Sequence, residues 1–224
     1  MLFYLSDFEF PHLQEAETQH CLRVLRKRKG DIIEVSDGQG KWASARIKNE
    51  NPKGADLELI ETKTHKPLWN NEIWIAVAPT KQMERMEWMV EKCTEIGVNG
   101  FLFFHSARTE RDVLKTERLE KAALSAMKQS GQFYLPEILW CQAWKNFPWP
   151  QFDHLFIADL ENEGENRLSI KPGRNLILIG PEGDFTTDEY LEIRAKGAKS
   201  IRLRPQILRT ETAAFFAVSM AHLA

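Results

Sequence analysis

The stretch Leu176-Ile177-Leu178-Ile179-Gly180-Pro181-Glu182-Gly183-Asp184-Phe185-Thr186 decides how the chain is read. Four apolar residues run without a polar break into a Gly-Pro-Glu-Gly turn. A short continuous apolar run bounded by turn residues fits a strand buried on both faces. Proline second and glycine fourth suit a type I turn over Gly180 to Gly183. Thr186 stands where it can cap a following helix, and Glu189, three residues on, completes a capping box. The stretch therefore reads as strand, tight turn, helix. Such joins in parallel α/β sheets collect ligands at the carboxyl ends of strands.

The surroundings repeat that rhythm. Strands are expected at Ile73 to Ala78, Phe101 to Phe104, Leu155 to Ala158, Leu176 to Ile179 and Ile201 to Leu203. Helices are expected at Glu84 to Ile96, Glu117 to Ser130, Asp188 to Lys196 and from Glu211 to the end. Strands alternating with helices imply a mostly parallel sheet covered on both faces. The first third is different. Residues 12–29 read as a helix ended by Gly30, with Leu13, Ala16, His20 and Val24 at helical spacing. Strands follow at Ile32 to Val35, Lys41 to Ile47 and Ala55 to Glu61, with a turn from Ser36 to Gly40. Lys63 to Pro67 reads as a linker. The chain divides into a strand-rich unit over 1–67 and an α/β domain over 68–224.

Composition bounds the function. Of 224 residues, 43% are hydrophobic and 28% charged, the balance of a soluble globular protein. The longest apolar runs are too short to span a bilayer, and the first residues lack the basic and apolar regions of a signal peptide. Cys21, Cys93 and Cys141 are far apart, so neither zinc nor a disulfide framework is expected, and a reducing cytoplasm is the natural home. The six histidines show no metal-ligand spacing. A net charge of −2 is not that of a protein that coats nucleic acid indiscriminately. RNA binding would need a local patch, and Arg23, Arg26, Lys27, Arg28 and Lys29 supply one. Lys81 with Arg85, and Arg108 with Arg111, are further cations placed after strands. His20, Met83, Met86, Met89, Val90, Ala123 and Met127 read as core.

The turn narrows the ligand. No lysine follows Gly183, which excludes a P-loop, and a dinucleotide loop would need a third glycine. Glu182 and Asp184 would repel a pyrophosphate. A nucleoside without phosphates fits, and S-adenosylmethionine is one. A second loop, Ile201-Arg202-Leu203-Arg204-Pro205-Gln206-Ile207-Leu208-Arg209-Thr210-Glu211-Thr212-Ala213-Ala214, joins a strand to a helix that Thr210 can cap. Arg209 lies at this helix start, where its charge opposes the macrodipole. An unfavourable charge held in such a place hints at function, with an ordinary surface arginine as the alternative.

Gly180-Pro181-Glu182-Gly183 followed by Ile207-Leu208-Arg209-Thr210-Glu211-Thr212-Ala213 resembles the paired signature of the RsmE-like family, the 16S ribosomal RNA uridine N3-methyltransferases of the SPOUT superfamily. The likeness covers nearly the whole chain. His20-Cys21-Leu22-Arg23-Val24-Leu25-Arg26 resembles the family's N-terminal segment. Lys81, Arg85, Lys92 and Glu95 to Val98 resemble its first helix, and Gln129-Ser130 with Pro136 a further segment. The chain departs from the pattern at Lys128, Gln132, Asp184, Arg204 and Gln206; the family usually has glycine where Asp184 stands.

The resemblance implies a small N-terminal PUA-like β-barrel and a SPOUT-type α/β domain whose C-terminal part forms a trefoil knot. It implies a homodimer with no membrane partner, acting on 16S ribosomal RNA or the small ribosomal subunit with S-adenosylmethionine as cofactor. Leu178, Gly180, Pro181, Glu182, Gly183, Leu203, Ile207, Leu208, Thr210 and Ala213 would bind the cofactor. Arg23, Arg26, Lys81, Arg85 and Arg108 would contact RNA. Arg209 would stabilise the uracil anion or grip the adjoining phosphate. Glu182 and Glu211 are both candidate proton acceptors. Two rivals stand beside this reading: a non-catalytic RNA-binding module, and a SPOUT enzyme acting on transfer RNA.

Overall fold

The computed structural model describes residues 1–67, 71–109, 113–160 and 168–223. The chain divides into two compact units, one of Met1–Leu68 with Leu124–Leu135, the other of Trp69–Ala123 with Pro136–Ala224. The first unit thus takes in a segment from the middle of the chain.

In the first unit, strands β1 (Leu2–Tyr4), β2 (Ile32–Ser36), β3 (Lys41–Ile47) and β4 (Leu57–Thr64) form one sheet in that order. β1 runs parallel to β2, and the other pairs are antiparallel. Inward residues alternate along the strands, and Phe3, Leu13, Cys21, Ile33, Val35, Ala45, Ile47 and Leu57 share one buried core. β4 runs on through Lys63 and Thr64, which the sequence assigned to a linker.

The expected helix over 12–29 is much shorter. Helix α1 spans Glu15–Gln19 and widens into a π-turn over His20–Val24, where the Leu25 N–H donates to the His20 carbonyl at 3.0 Å. Arg26 then takes a positive φ of 56°. Side chains draw the next amides out of the helix: Asp31 accepts the N–H of Arg28 and Glu50 that of Lys29, each at 2.9 Å. His20 is half-buried and packs edge-on against Phe3, while Ala16 and Val24 of the same expected stripe are exposed.

The second unit holds six described strands, β5 (Asn71–Val77), β6 (Gly100–Phe104), β7 (Glu137–Cys141), β8 (His154–Ala158), β9 (Gly173–Ile179) and β10 (Lys199–Ile201). Their order is β10-β8-β9-β5-β6-β7, and every pair is parallel. Helices α2 (Met83–Glu95), α3 (Thr116–Ser130), α4 (Thr187–Ala195) and α5 (Thr210–Leu223) fall in the intervals. β6 is buried from end to end, and β5 and β9 from their third residue onward, as a sheet covered on both faces requires. Met83, Met86, Met89 and Val90 are buried on α2, as are Ala123 and Met127 on α3. Two strands escaped the sequence reading. β1 is too short to show a period, and β7 is the apolar run after Pro136. β10 also lies two residues earlier than expected, leaving Arg202 and Leu203 to the loop.

The three cysteines are free and buried. Burial pushes the Cys21 thiol up to about 11 and raises those of Cys93 and Cys141, which suits packing rather than nucleophilic work. Lys128, a departure from the family pattern, has a role inside the first unit. Its ammonium donates to Glu17, whose other oxygen accepts the Tyr4 N–H at 3.1 Å. Glu17 is buried, so losing the ammonium leaves a carboxylate with little solvent to replace it. Lys128→Ala should therefore lower stability by about 2 kcal/mol, the scale of a charged hydrogen bond. Urea unfolding checks this, and an unchanged midpoint would show that the pair contributes nothing.

Candidate active site

Strand β9 ends at Ile179, and the chain turns sharply before α4. The Asp184 N–H donates to the Pro181 carbonyl at 2.9 Å, so the turn runs from Pro181 to Asp184, one residue later than the sequence suggested. Asp184 reaches a positive φ of 61°. An aspartate tolerates that conformation when its short side chain bonds locally. Its carboxylate does so, accepting the Phe185 N–H at 2.8 Å. This accounts for the residue that replaces glycine.

Three contacts fix the turn. Thr186 and Glu189 form the expected capping box at the start of α4. The second oxygen of Glu189 accepts the Ala107 N–H at 2.8 Å, tying α4 to the loop after β6. Arg108 donates to the carbonyl of Gly183 at 2.6 Å. Phe185 is buried and stacks on Phe104 at 6.0 Å. Across the site, the Thr210 hydroxyl donates to the Gly180 carbonyl at 3.3 Å, joining the two loops that the sequence singled out.

Between those loops lies a cavity of about 410 Å³. Gly180, Pro181, Glu182, Leu203, Ile207, Leu208, Arg209, Thr210 and Ala213 line it. Of the residues expected there, Leu178 is not among the lining groups, since it is wholly buried in the sheet. Gly183 is also absent from the lining, and its carbonyl is held by Arg108. The cavity adds Ala158, Asp159 and Leu160 from the end of β8, with Asp184, Arg204 and Gln206. The sequence signal for the β8 residues is their place at the carboxyl end of a strand, a signal that every strand of a parallel sheet carries.

The two candidate acids differ. Glu182 is exposed and lines the cavity. Glu211 is only 7% exposed, in the first turn of α5, with one carboxylate oxygen lacking a hydrogen-bond partner among the described residues. Arg85 stands between them, 3.9 Å from Glu182 and 3.8 Å from Glu211. Arg85 and Arg108, both read as RNA contacts, are thus engaged with the site's own loops. Lys81 is exposed just before α2, and Arg23 and Arg26 are exposed in the first unit. Arg111 lies outside the described residues.

A parallel sheet with a ligand-sized cavity at its carboxyl edge, preceded by a small sheet unit, defines the class. The RNA methyltransferase domain model matches residues 67–222, and the RNA methyltransferase PUA domain model matches 13–60. A ribosomal RNA small subunit methyltransferase E from Aquifex aeolicus is 30% identical, covering 93% of this chain and 92% of its own. A crystal structure of a probable rRNA-methyltransferase from Porphyromonas gingivalis is 37% identical at a TM-score of 0.88, covering 99% of this chain and 97% of that one. The ribosomal RNA small subunit methyltransferase E of Neisseria gonorrhoeae, solved bound to S-adenosyl methionine, is 26% identical at a TM-score of 0.84, covering 99% and 96%. The chain belongs to the ribosomal RNA small subunit methyltransferase E family and is an rRNA methyltransferase.

The turn imposes one steric condition. A β-carbon on Gly180 would lie 2.9 Å from an Asp184 carboxylate oxygen and 3.2 Å from the Phe185 ring. On Gly183 it would meet the Arg108 side chain, at 3.4 Å. The intolerant glycine is therefore Gly180. Gly180→Ala should cost about 1–3 kcal/mol, as overpacking does, while Gly183→Ala should stay within about 0.5 kcal/mol. Chemical unfolding of both variants tests the ranking, and equal losses would refute it.

Proposed function

We propose that the enzyme methylates N3 of one uridine in 16S ribosomal RNA, with S-adenosylmethionine as cofactor and the cavity between the two loops as its seat. The observation that carries the reading is this cavity, which brings backbone of the Gly180 turn together with Glu182 and Arg209. The residues present fit the cofactor: a close-approach glycine, apolar Leu203, Ile207 and Leu208, and carboxylates for a cation. When bound, it supplies an electrophilic methyl group.

The chain's own groups do the rest. Uracil N3 carries a proton at neutral pH, and its place on the Watson–Crick edge requires the base to be unpaired. Glu182 is the proton acceptor in this reading, because it reaches the cavity. Glu211, in the first turn of α5, instead pairs with Arg85. Arg209 is exposed and stabilises the negative charge that develops on the uracil. Arg23, Arg26 and Lys81 meet RNA phosphates; residues 1–67 form the RNA-gripping domain and 68–224 the catalytic one. Arg85 and Arg108 brace the turn rather than bind RNA.

A trefoil knot in the C-terminal part belongs to the same proposal. In its support, β9 lies between β8 and β5, and Thr210 ties the last loop to the Gly180 turn. So does a homodimer in the cytoplasm. Trp88 on α2 and Leu223 on α5 are exposed, and Ile207 in the second loop is 83% exposed, apolar surface that a second subunit would cover. No helix among the described residues is long and apolar enough to cross a membrane.

Methylation of purified small-subunit RNA and of assembled subunits, followed by nucleoside mass spectrometry, tests the reading directly; no N3-methyluridine in either would sink it. Arg209→Ala should lower kcat by about a hundredfold, the scale of one preorganised donor. Cofactor affinity should hold, and Arg209→Lys should restore activity only in part, since a point charge cannot replace a planar fork. Single-turnover rates beside calorimetry decide this; a variant that merely fails to bind cofactor would assign Arg209 elsewhere. Replacing both Arg23 and Arg26 by alanine should flatten the salt dependence of RNA binding, by about 0.7 to 0.9 in slope for each phosphate that is no longer neutralised. An unchanged slope would leave them as solvated surface.

A further inference from the structure

Asp159 ends up in the cavity although neither turn motif contains it. It follows β8, is 6% exposed, and anchors its position by donating its N–H to the Ile201 carbonyl at 2.9 Å. One carboxylate oxygen accepts a hydrogen bond from Arg194 of α4 at 2.9 Å. The two partners are unequally placed, since the Arg194 side chain is 55% exposed and that of Asp159 is 6%. Water screens the guanidinium far more than the carboxylate, so within this pair the negative charge is the less screened.

The other charged groups of the lining are Glu182, Asp184, Arg204 and Arg209, all exposed. The most buried charge of the lining is therefore negative, while its exposed part carries two acids and two arginines. A buried negative charge suits a cationic small ligand.

We propose that Asp159 makes the cavity selective for the charged sulfonium cofactor over its neutral thioether product. The inference rests on the cofactor reading above. Methylation forms the bond from uracil N3 to the methyl carbon, leaves the carbon–sulfur electron pair on sulfur and passes the N3 proton to the acceptor carboxylate. The only formal charge that changes on the cofactor is the one at sulfur. A buried carboxylate nearby holds the cation and loses its grip once that charge is gone, which favours product exchange. Asp159 is thus a specificity determinant, separate from the groups that handle the uracil.

Calorimetric titration of wild type and Asp159→Asn with three ligands tests this. S-adenosylmethionine and sinefungin are cationic at the reacting position, and S-adenosylhomocysteine is neutral there. The asparagine should weaken binding of both cationic ligands about tenfold, the scale of one partly screened charge, and leave S-adenosylhomocysteine within about twofold. Equal weakening of all three, or no weakening, overturns the proposal. Should Asp159→Asn fail to fold, Arg194→Gln decides the matter. It removes the counter-charge and keeps the carboxylate, so the preference for cationic ligands must rise several-fold; an unchanged or smaller preference overturns the proposal. If wild type binds none of the three, the cofactor reading itself falls.

Discussion

Strand β9 delivers the chain through Gly180, where a side chain would be crowded, into a tight turn, and holding that turn in place organises the site. Glu189 carries much of the task. One carboxylate oxygen closes the capping box with Thr186, and the other takes the amide of Ala107. Arg108, next in sequence to Ala107, holds the carbonyl of Gly183. Phe185 fills the core beneath, against Phe104. Two backbone amides and one carbonyl are thereby committed, and Gly180, Pro181, Glu182 and Asp184 line the cavity. The order of importance follows from geometry: Gly180 is constrained by contacts under 3.5 Å to its own turn, while Gly183 faces a flexible arginine side chain that can give way.

Much of this was legible beforehand. The apolar runs at Ile73, Phe101, Leu155 and Leu176 read as strands because a parallel sheet is buried on both faces, and local composition alone reports that. The capping box was equally visible, being a four-residue pattern. What failed was non-local. Nothing in the spacing from Leu13 to Val24 shows that Asp31 and Glu50 will take the amides of Arg28 and Lys29. The placement of the tight turn slipped by one because Asp184, which looks like an ordinary acid, stabilises its own left-handed backbone.

The site was read with the same asymmetry. Residues beside the two glycine- and proline-marked loops were found, because turns leave a chemical trace. Asp159 was missed, since a strand end with no turn residue looks like any other. The resemblance implies RNA contacts at Arg85 and Arg108, and a sequence cannot show that they also meet Glu182, Glu211 and the carbonyl of Gly183. Lys128 is the converse case. A departure that carried no meaning in the sequence gains one from Glu17, its partner 111 residues away.

The sheet order has a consequence for how the protein comes into being. β9 lies between β8 and β5, and it pairs with β5 along its whole length although Glu72 and Arg174 stand 102 residues apart. During synthesis from the N-terminus, β5 must wait for most of the domain before its second neighbour exists. Until then one side of a strand that is apolar from Ile73 to Val77 is an open edge, the kind of surface that pairs with foreign chains. Long-range parallel pairing is also slow, because the loop must close before any contact rewards it. The strand that carries the cofactor turn is thus also the one whose arrival closes the gap between β8 and β5, and the second loop of the site can dock only after that.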